Sequence, residues 1–159
     1  ILLIRKENKM GTRSNIAYLN NYGEVIIAYC HQDSYLDNNG RILLEHYNDD
    51  TLARNLIDHG YMTSLGKTAE ECIRKHSDKV ETFPHLQCYM AEVDGLSIEF
   101  IYLWHFNTNE WHVSYSRSVE QPDAYHRTTG HYHTEFYPLK KELENWDEDN
   151  PQRNEVQIL

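Results

Sequence analysis

The chain has 159 residues, which bounds it to one domain, long enough to bury an ordinary core. A formal charge of −10 argues against non-specific binding to DNA or RNA, where affinity comes from cationic contacts with phosphate. Apolar residues at 40% and charged residues at 25% fit a soluble fold, and no apolar run approaches the ~20 residues a spanning helix needs.

Ile1-Leu2-Leu3-Ile4 is too short for a signal-peptide core, and Met10-Gly11 reads as a natural beginning. Residues 1–9 are therefore expected to be a non-native or disordered extension, 10–146 a single domain, and 147–159 a polar flexible tail. Residues 13–19, the turn cluster Asn20-Asn21-Tyr22-Gly23 and the β-branched run 24–30 predict a β-hairpin. Asp37, Asn38 and Asn39 supply N-cap candidates for a helix through about Tyr47. A second helix is expected over 50–58, with Gly60 where a glycine past the C-terminus belongs. A third is expected over 68–80, because Thr68 followed by Glu71 matches the capping box.

After Phe83-Pro84 the pattern changes to strands at 87–93, 96–106 and 110–116, with Asp94-Gly95 as a hairpin turn. Residues 117–135 look irregular, and 138–146 predict a short final helix. Strands, then helices, then strands imply the α+β class: an antiparallel sheet with an N-terminal hairpin, about three helices on one face, and a C-terminal β-meander.

Chemistry concentrates between residues 11 and 47. Hairpin pairing brings Arg13 and Ser14 near His31 and Asp33, and alternation puts His31 and Asp33 on one side of the extended segment. Arg13 offers a forked donor for phosphate or carboxylate, and His31 can exchange protons near neutral pH with Asp33 orienting it. The helix start near Gly40 would add backbone N–H groups, with Tyr35 and His46 completing a pocket for a nucleotide or phosphate. The alternative is structural: His31 and Asp33 bond each other and tie the hairpin to the helix, with Arg13 in an ion pair.

Other features carry less. His131 and His133, two apart, would face the same way from a strand and could ligate zinc, but no partner stands at a standard spacing. A His-rich surface loop is the better reading, and no cofactor is expected. Gly66-Lys67-Thr68 lacks the first glycine of a phosphate loop, since residue 61 is Tyr. Trp104 and Trp111 read as a packed cross-strand pair, and Cys30 as structural. Cys30, Cys72 and Cys88 contain no CxxC pair, which fits a reduced, cytoplasmic setting. The 12 tyrosines, with apolar bodies and polar tips, suit either a recognition surface or half-buried sheet positions.

Thr12-Arg13-Ser14, Tyr29-Cys30-His31-Gln32-Asp33-Ser34-Tyr35, Gly40 and Leu43-Leu44-Glu45-His46-Tyr47 together resemble a group of small proteins encoded by bacteriophages and some bacteria. The group usually has Trp before the Asp and Gly after it, where this chain has Gln32 and Ser34. The resemblance implies phage origin and the cytoplasm of an infected cell, and it brings no activity with it. Small size, acidity and abundant Tyr then favour a non-enzymatic accessory protein that binds and modulates a host intracellular protein, in host takeover or counter-defence. The competing expectation is a nucleotide- or phosphoester-binding protein, or a phosphoester hydrolase, using Arg13, His31 and Asp33. Membrane association is not expected, and a homo-oligomer formed through an exposed strand edge is a third expectation.

Overall fold

The computed structural model describes residues 12–74, 80–94, 96–118 and 131–151. The expected hairpin is present: β1 (Ser14–Leu19) and β2 (Val25–Cys30) pair antiparallel with Ser14 opposite Cys30 and Leu19 opposite Val25. Asn20 closes the turn, its Oδ1 accepting from the backbone N–H groups of Tyr22 and Glu24 at 2.9 Å. Four further strands join the sheet: β3 (Glu81–Phe83), β4 (Phe100–His105), β5 (Glu110–Tyr115) and, after a separate two-strand ribbon of β6 (Arg117–Ser118) and β7 (His131–Tyr132), β8 (Tyr137–Pro138). Their order is β3-β2-β1-β4-β5-β8.

The α+β class holds, with two corrections to the sheet. It is mixed, because β1 and β4 run parallel with Ile16 opposite Tyr102. A parallel neighbour cannot be reached by a hairpin, so the chain must cross a face of the sheet to return to the starting end of β1. Residues 87–93, expected as a strand, do this as a helix instead. They lie in α3 (Leu86–Val93), so the expected hairpin turn at Asp94 does not form and β4 begins at Phe100. Leu86, Tyr89, Met90 and Val93 recur at helical spacing, a signal the β-rich composition obscured. Its N-cap is His85, an unusual choice, whose Nδ1 accepts from the Cys88 N–H at 3.2 Å.

Helices consequently cover both faces rather than one. On the first face α1 (Arg41–His46), α2 (Asp50–Asp58) and α4 (Leu139–Asp149) pack over Ile16, Tyr18, Ile26, Ala28, Tyr102, Trp104, Trp111 and Val113. On the second, Tyr89 and Val93 of α3 pack with Ala17, Val25, Ile27, Ile101 and Leu103. β1, β2 and β4 therefore alternate between two cores.

The helical expectations were partly met. The range 50–58 is a helix, capped by Asp49 accepting from Leu52 N–H at 2.7 Å and followed by Gly60 at φ 79°. Ahead of α1 the chain makes one wide turn over Leu36–Gly40, so Asp37, Asn38 and Asn39 lie inside helical backbone instead of capping it. Of the helix expected over 68–80, residues 75–79 lie outside the described residues, and 72–74 are not helical. Thr68 does cap, accepting from Glu71 N–H at 3.3 Å, but only one tight turn, Ala69–Glu71, follows. The chain then folds back to pair Ile73 with Ser64, and Arg74 donates to the Gly60 carbonyl at 2.6 Å, supplying a cation at the C-terminus of α2. α4 continues past residue 146 to Asp149, and Asp147 accepts from Arg41 Nη2 at 2.7 Å. Residues 1–11, Gly95 and 152–159 lie outside the described residues.

Asp50 ties α2 to the sheet, accepting from Tyr18 Oη at 2.8 Å and Trp104 Nε1 at 3.0 Å. Burial and this carboxylate hold the Tyr18 phenol up at about 12. Asp50→Ala strands both donors and is expected to cost about 2–3 kcal/mol in urea denaturation. His112 on β5 behaves differently. Burial lowers its pKa and His105, 6.0 Å away between ring centroids, adds to this, while Glu110 at 3.2 Å opposes it. The folded state then binds fewer protons than the unfolded one, so stability is lost as pH falls below the ordinary 6.5. Melting scans between pH 7.5 and pH 5 are expected to show a smaller decline in His112→Gln, both endpoints being about a unit either side of that value.

Candidate functional site

The residues expected to form one cluster are divided between the two faces. Ser14 points into the first core, fully buried, and donates to Ser34 Oγ at 2.8 Å. Asn39 Nδ2 reaches the same hydroxyl at 3.2 Å, the Gln32 carbonyl at 3.3 Å and Cys30 Sγ at 3.4 Å, while Tyr102 Oη donates to the Ser34 carbonyl at 2.6 Å. This buried network locks the 31–39 loop onto β1, β2 and β4. Burial pushes the Cys30 thiol up to about 11, in keeping with a structural cysteine. Gly40 is also a packing residue: a Cβ there would sit 3.3 Å from Leu139, Leu36 and Tyr102 side-chain atoms. It is not the start of a helix that could offer free N–H groups. Tyr35 accepts through its carbonyl from Asn38 and Asn39 N–H, and His46, on α1, lies 3.9 Å from Glu45.

Asp33 does not orient His31. Its side chain is exposed, and no hydrogen bond or ion pair joins the two residues. Asp33 instead occupies the left-handed region at φ 56°, with its carbonyl accepting from Asn38 Nδ2 at 3.0 Å. The turn thus takes its left-handed residue at Asp33, and Ser34 is used for its buried hydroxyl.

Arg13 and His31 belong to the second face. Continuing the β1–β2 register by one residue sets them opposite each other. His31 Nδ1 shares a hydrogen bond with Tyr29 Oη at 3.0 Å; with the phenol donating, the ring proton sits on Nε2. Burial raises the Tyr29 pKa, which keeps it a neutral phenol at pH 7, and the nearby Arg13 charge pulls the other way. Arg13 Nε is buried with no hydrogen-bond partner among the described residues.

Beside this group lies a cleft of about 470 Å³, lined by Asn15, Ile27, Tyr29, Tyr61, Glu81, Leu96 and Ile98. That size suits a small organic ligand. The Tyr29 and Tyr61 rings meet at 5.0 Å between centroids, tilted by 47°. Tyr61 is brought there by the bridge of Met62 to Cys30, with Met62 N–H donating to the Tyr29 carbonyl at 2.8 Å. Asn15 commits its Nδ2 to Tyr89 Oη at 2.8 Å, which fixes the amide and leaves Oδ1 as an acceptor. Ile27, Leu96 and Ile98 supply the apolar surface.

Of the expected metal pair, His133 is buried with both ring nitrogens engaged. Nε2 donates to the Ile98 carbonyl at 2.7 Å, and Nδ1 lies 3.0 Å from Ser114 Oγ. This ring ties the chain after β7 to the second face. His131 lies on β7, and residues 126–130 fall outside the described residues. Among the described residues no three His, Cys, Asp or Glu side chains are grouped as metal ligands. No protein-family model, curated protein or solved structure matches the chain.

Sequence reasoning singled out Arg13 and His31, beside this cleft, but not Asn15, Tyr61 and Glu81, which line it. Asn15 and Tyr29 were legible in part, since they face each other across the hairpin on the odd-numbered side. Tyr61 and Glu81 arrive by long-range pairing and left no local signal. The exposed, left-handed Asp33 gives a test of this geometry. Asp33→Gly is expected to leave stability unchanged or raise it by up to about 1 kcal/mol in urea denaturation, since Gly adopts φ > 0 without a Cβ penalty.

Proposed function

We propose that this chain is a small-ligand-binding protein whose ligand combines a flat ring with a phosphate or similar anion, a nucleotide or related phosphoester. The observation that carries the reading is the cleft walled by Tyr29 and Tyr61, with the unpartnered, buried Nε of Arg13 beside it. The tyrosine faces and Ile27 would hold the ring. Arg13 and His31 Nε2 would receive the anion, because Arg carries a permanent charge in a forked donor geometry. The strand rise sets the Arg13–His31 end about 13 Å along the sheet from the row of Ile27 and Glu81, a span suited to a ligand with separate ring and anion.

A second reading draws on the hairpin tips. Tyr22, 82% exposed in the β1–β2 turn, and Phe106, 40% exposed at the end of β4, belong to neighbouring strands, and Phe106 N–H donates to the Leu19 carbonyl at 2.9 Å. Two exposed aromatics at one end of an acidic chain favour docking to a protein surface. Such docking agrees with an accessory protein that modulates a host protein, the reading that small size, acidity and abundant Tyr favour.

The ligand reading is tested by titrating mononucleotides, nucleosides and inorganic phosphate into the purified chain by calorimetry. Nucleotides are expected to bind more tightly than either part alone. Tyr61→Ala is expected to weaken nucleotide and nucleoside binding alike, by about tenfold for a lost stacking face. Arg13→Ala is expected to remove the advantage of the nucleotide over its nucleoside. No binding by wild type across the panel, with a normal melting transition, overturns the reading.

A further inference from the structure

The end of the cleft remote from Arg13 has a distinct chemistry. Glu81 stands on β3 opposite Ile27, one strand out from the centre of the cleft. Its carboxylate has no hydrogen bond or ion pair with any described residue, and its charge is felt by the buried Tyr89 hydroxyl, where it adds to the burial that raises that phenol. The same hydroxyl accepts from Asn15 Nδ2, which turns Asn15 Oδ1 away as an acceptor. An ionised carboxylate can only accept, through two oxygens. The polar group at this end is therefore an acceptor, with the Asn15 oxygen two residues nearer Arg13 along the strands, and a ligand that fits must bring donors.

We propose that Glu81 makes the ring end of the cleft selective for a heterocycle presenting two adjacent N–H donors, the edge carried by guanine. This rests on the ligand-binding reading above. A carboxylate meets the ring N–H and exocyclic amine of guanine with one oxygen each, a paired, charge-assisted contact. Against adenine one oxygen meets the amine while the other faces a ring nitrogen lone pair. Hypoxanthine keeps the ring N–H and loses the amine. The carboxylate therefore ranks the purines as guanine, then hypoxanthine, then adenine. Arg13 and His31 at the far end are indifferent to the base.

The experiment is calorimetric titration of the full chain with GMP, IMP and AMP, in wild type, Glu81→Gln and Tyr61→Ala. Wild type is expected to bind GMP about tenfold more tightly than AMP, with IMP between them, the size expected for one added charged hydrogen bond. Glu81→Gln replaces the acceptor pair with one acceptor and one donor, which matches adenine, so the preference is expected to reverse. Tyr61→Ala is expected to weaken all three without changing their order. Equal binding of the three by wild type, or a GMP preference that survives Glu81→Gln, overturns the role of Glu81 and leaves the ligand reading standing. Absence of binding by all three in folded wild type overturns this proposal, and the wider nucleotide panel then decides the ligand reading separately. Glu81 is exposed, and an unchanged melting temperature verifies that each variant is folded.

Discussion

The parallel pairing of β1 with β4 is the constraint from which the rest of the architecture follows. β1 already has β2 on one side as its hairpin partner, so β4 takes the other. Entering parallel obliges the connection to recross the sheet, and the segment that does so becomes α3 on the second face. With α1, α2 and α4 on the first face, β1 and β4 are apolar on both sides and need every residue of their alternation. A one-residue slip of β1 would exchange Ile16 and Tyr18 for Asn15 and Ala17 in the larger core.

The two faces are held by different means. The first is a broad apolar core stitched by a few buried polar contacts: Asp50 to Tyr18 and Trp104, and the Ser14, Ser34 and Asn39 network. Among the described residues the second has a single helix, and α3 is too short to cover the whole sheet. What it leaves uncovered is the cleft. Asn15, Tyr29 and Ile27, odd-numbered residues of β1 and β2 on this face, form its floor. The cleft is thus a consequence of topology and helix length, and its lining chemistry is what gives it a use.

The apparent cluster of Arg13, Ser14, His31 and Asp33 shows how proximity along a hairpin can mislead. The register did bring Ser14 against Cys30, as expected, but neighbouring residues in a strand point to opposite faces. Arg13 and Ser14 are therefore separated by the sheet itself. Asp33 parts from His31 because the chain has left the strand at residue 31, and the left-handed conformation at Asp33 breaks the two-residue alternation. The structural alternative, a His31–Asp33 bond with Arg13 in an ion pair, is not what ties this region together; the Ser14, Ser34 and Asn39 network does so instead.

Sequence alone was enough for the hairpin at 14–30, the helix at 50–58, the meander through β4 and β5 and the α+β class, because each rests on local periodicity or turn chemistry. It also identified Arg13 and His31 as chemically notable. It misassigned 72–74 and 87–93, where local signals conflicted with pairing partners far along the chain: Ile73 with Ser64, and α3 with the strands it covers. The cleft could come only from the tertiary structure. Tyr61 reaches it through the Met62–Cys30 bridge and Glu81 through the β2–β3 pairing, and neither contact leaves a trace in the spacing of neighbouring residues. Local physics sets the elements; which of their faces remain uncovered is decided by the order in which the strands meet.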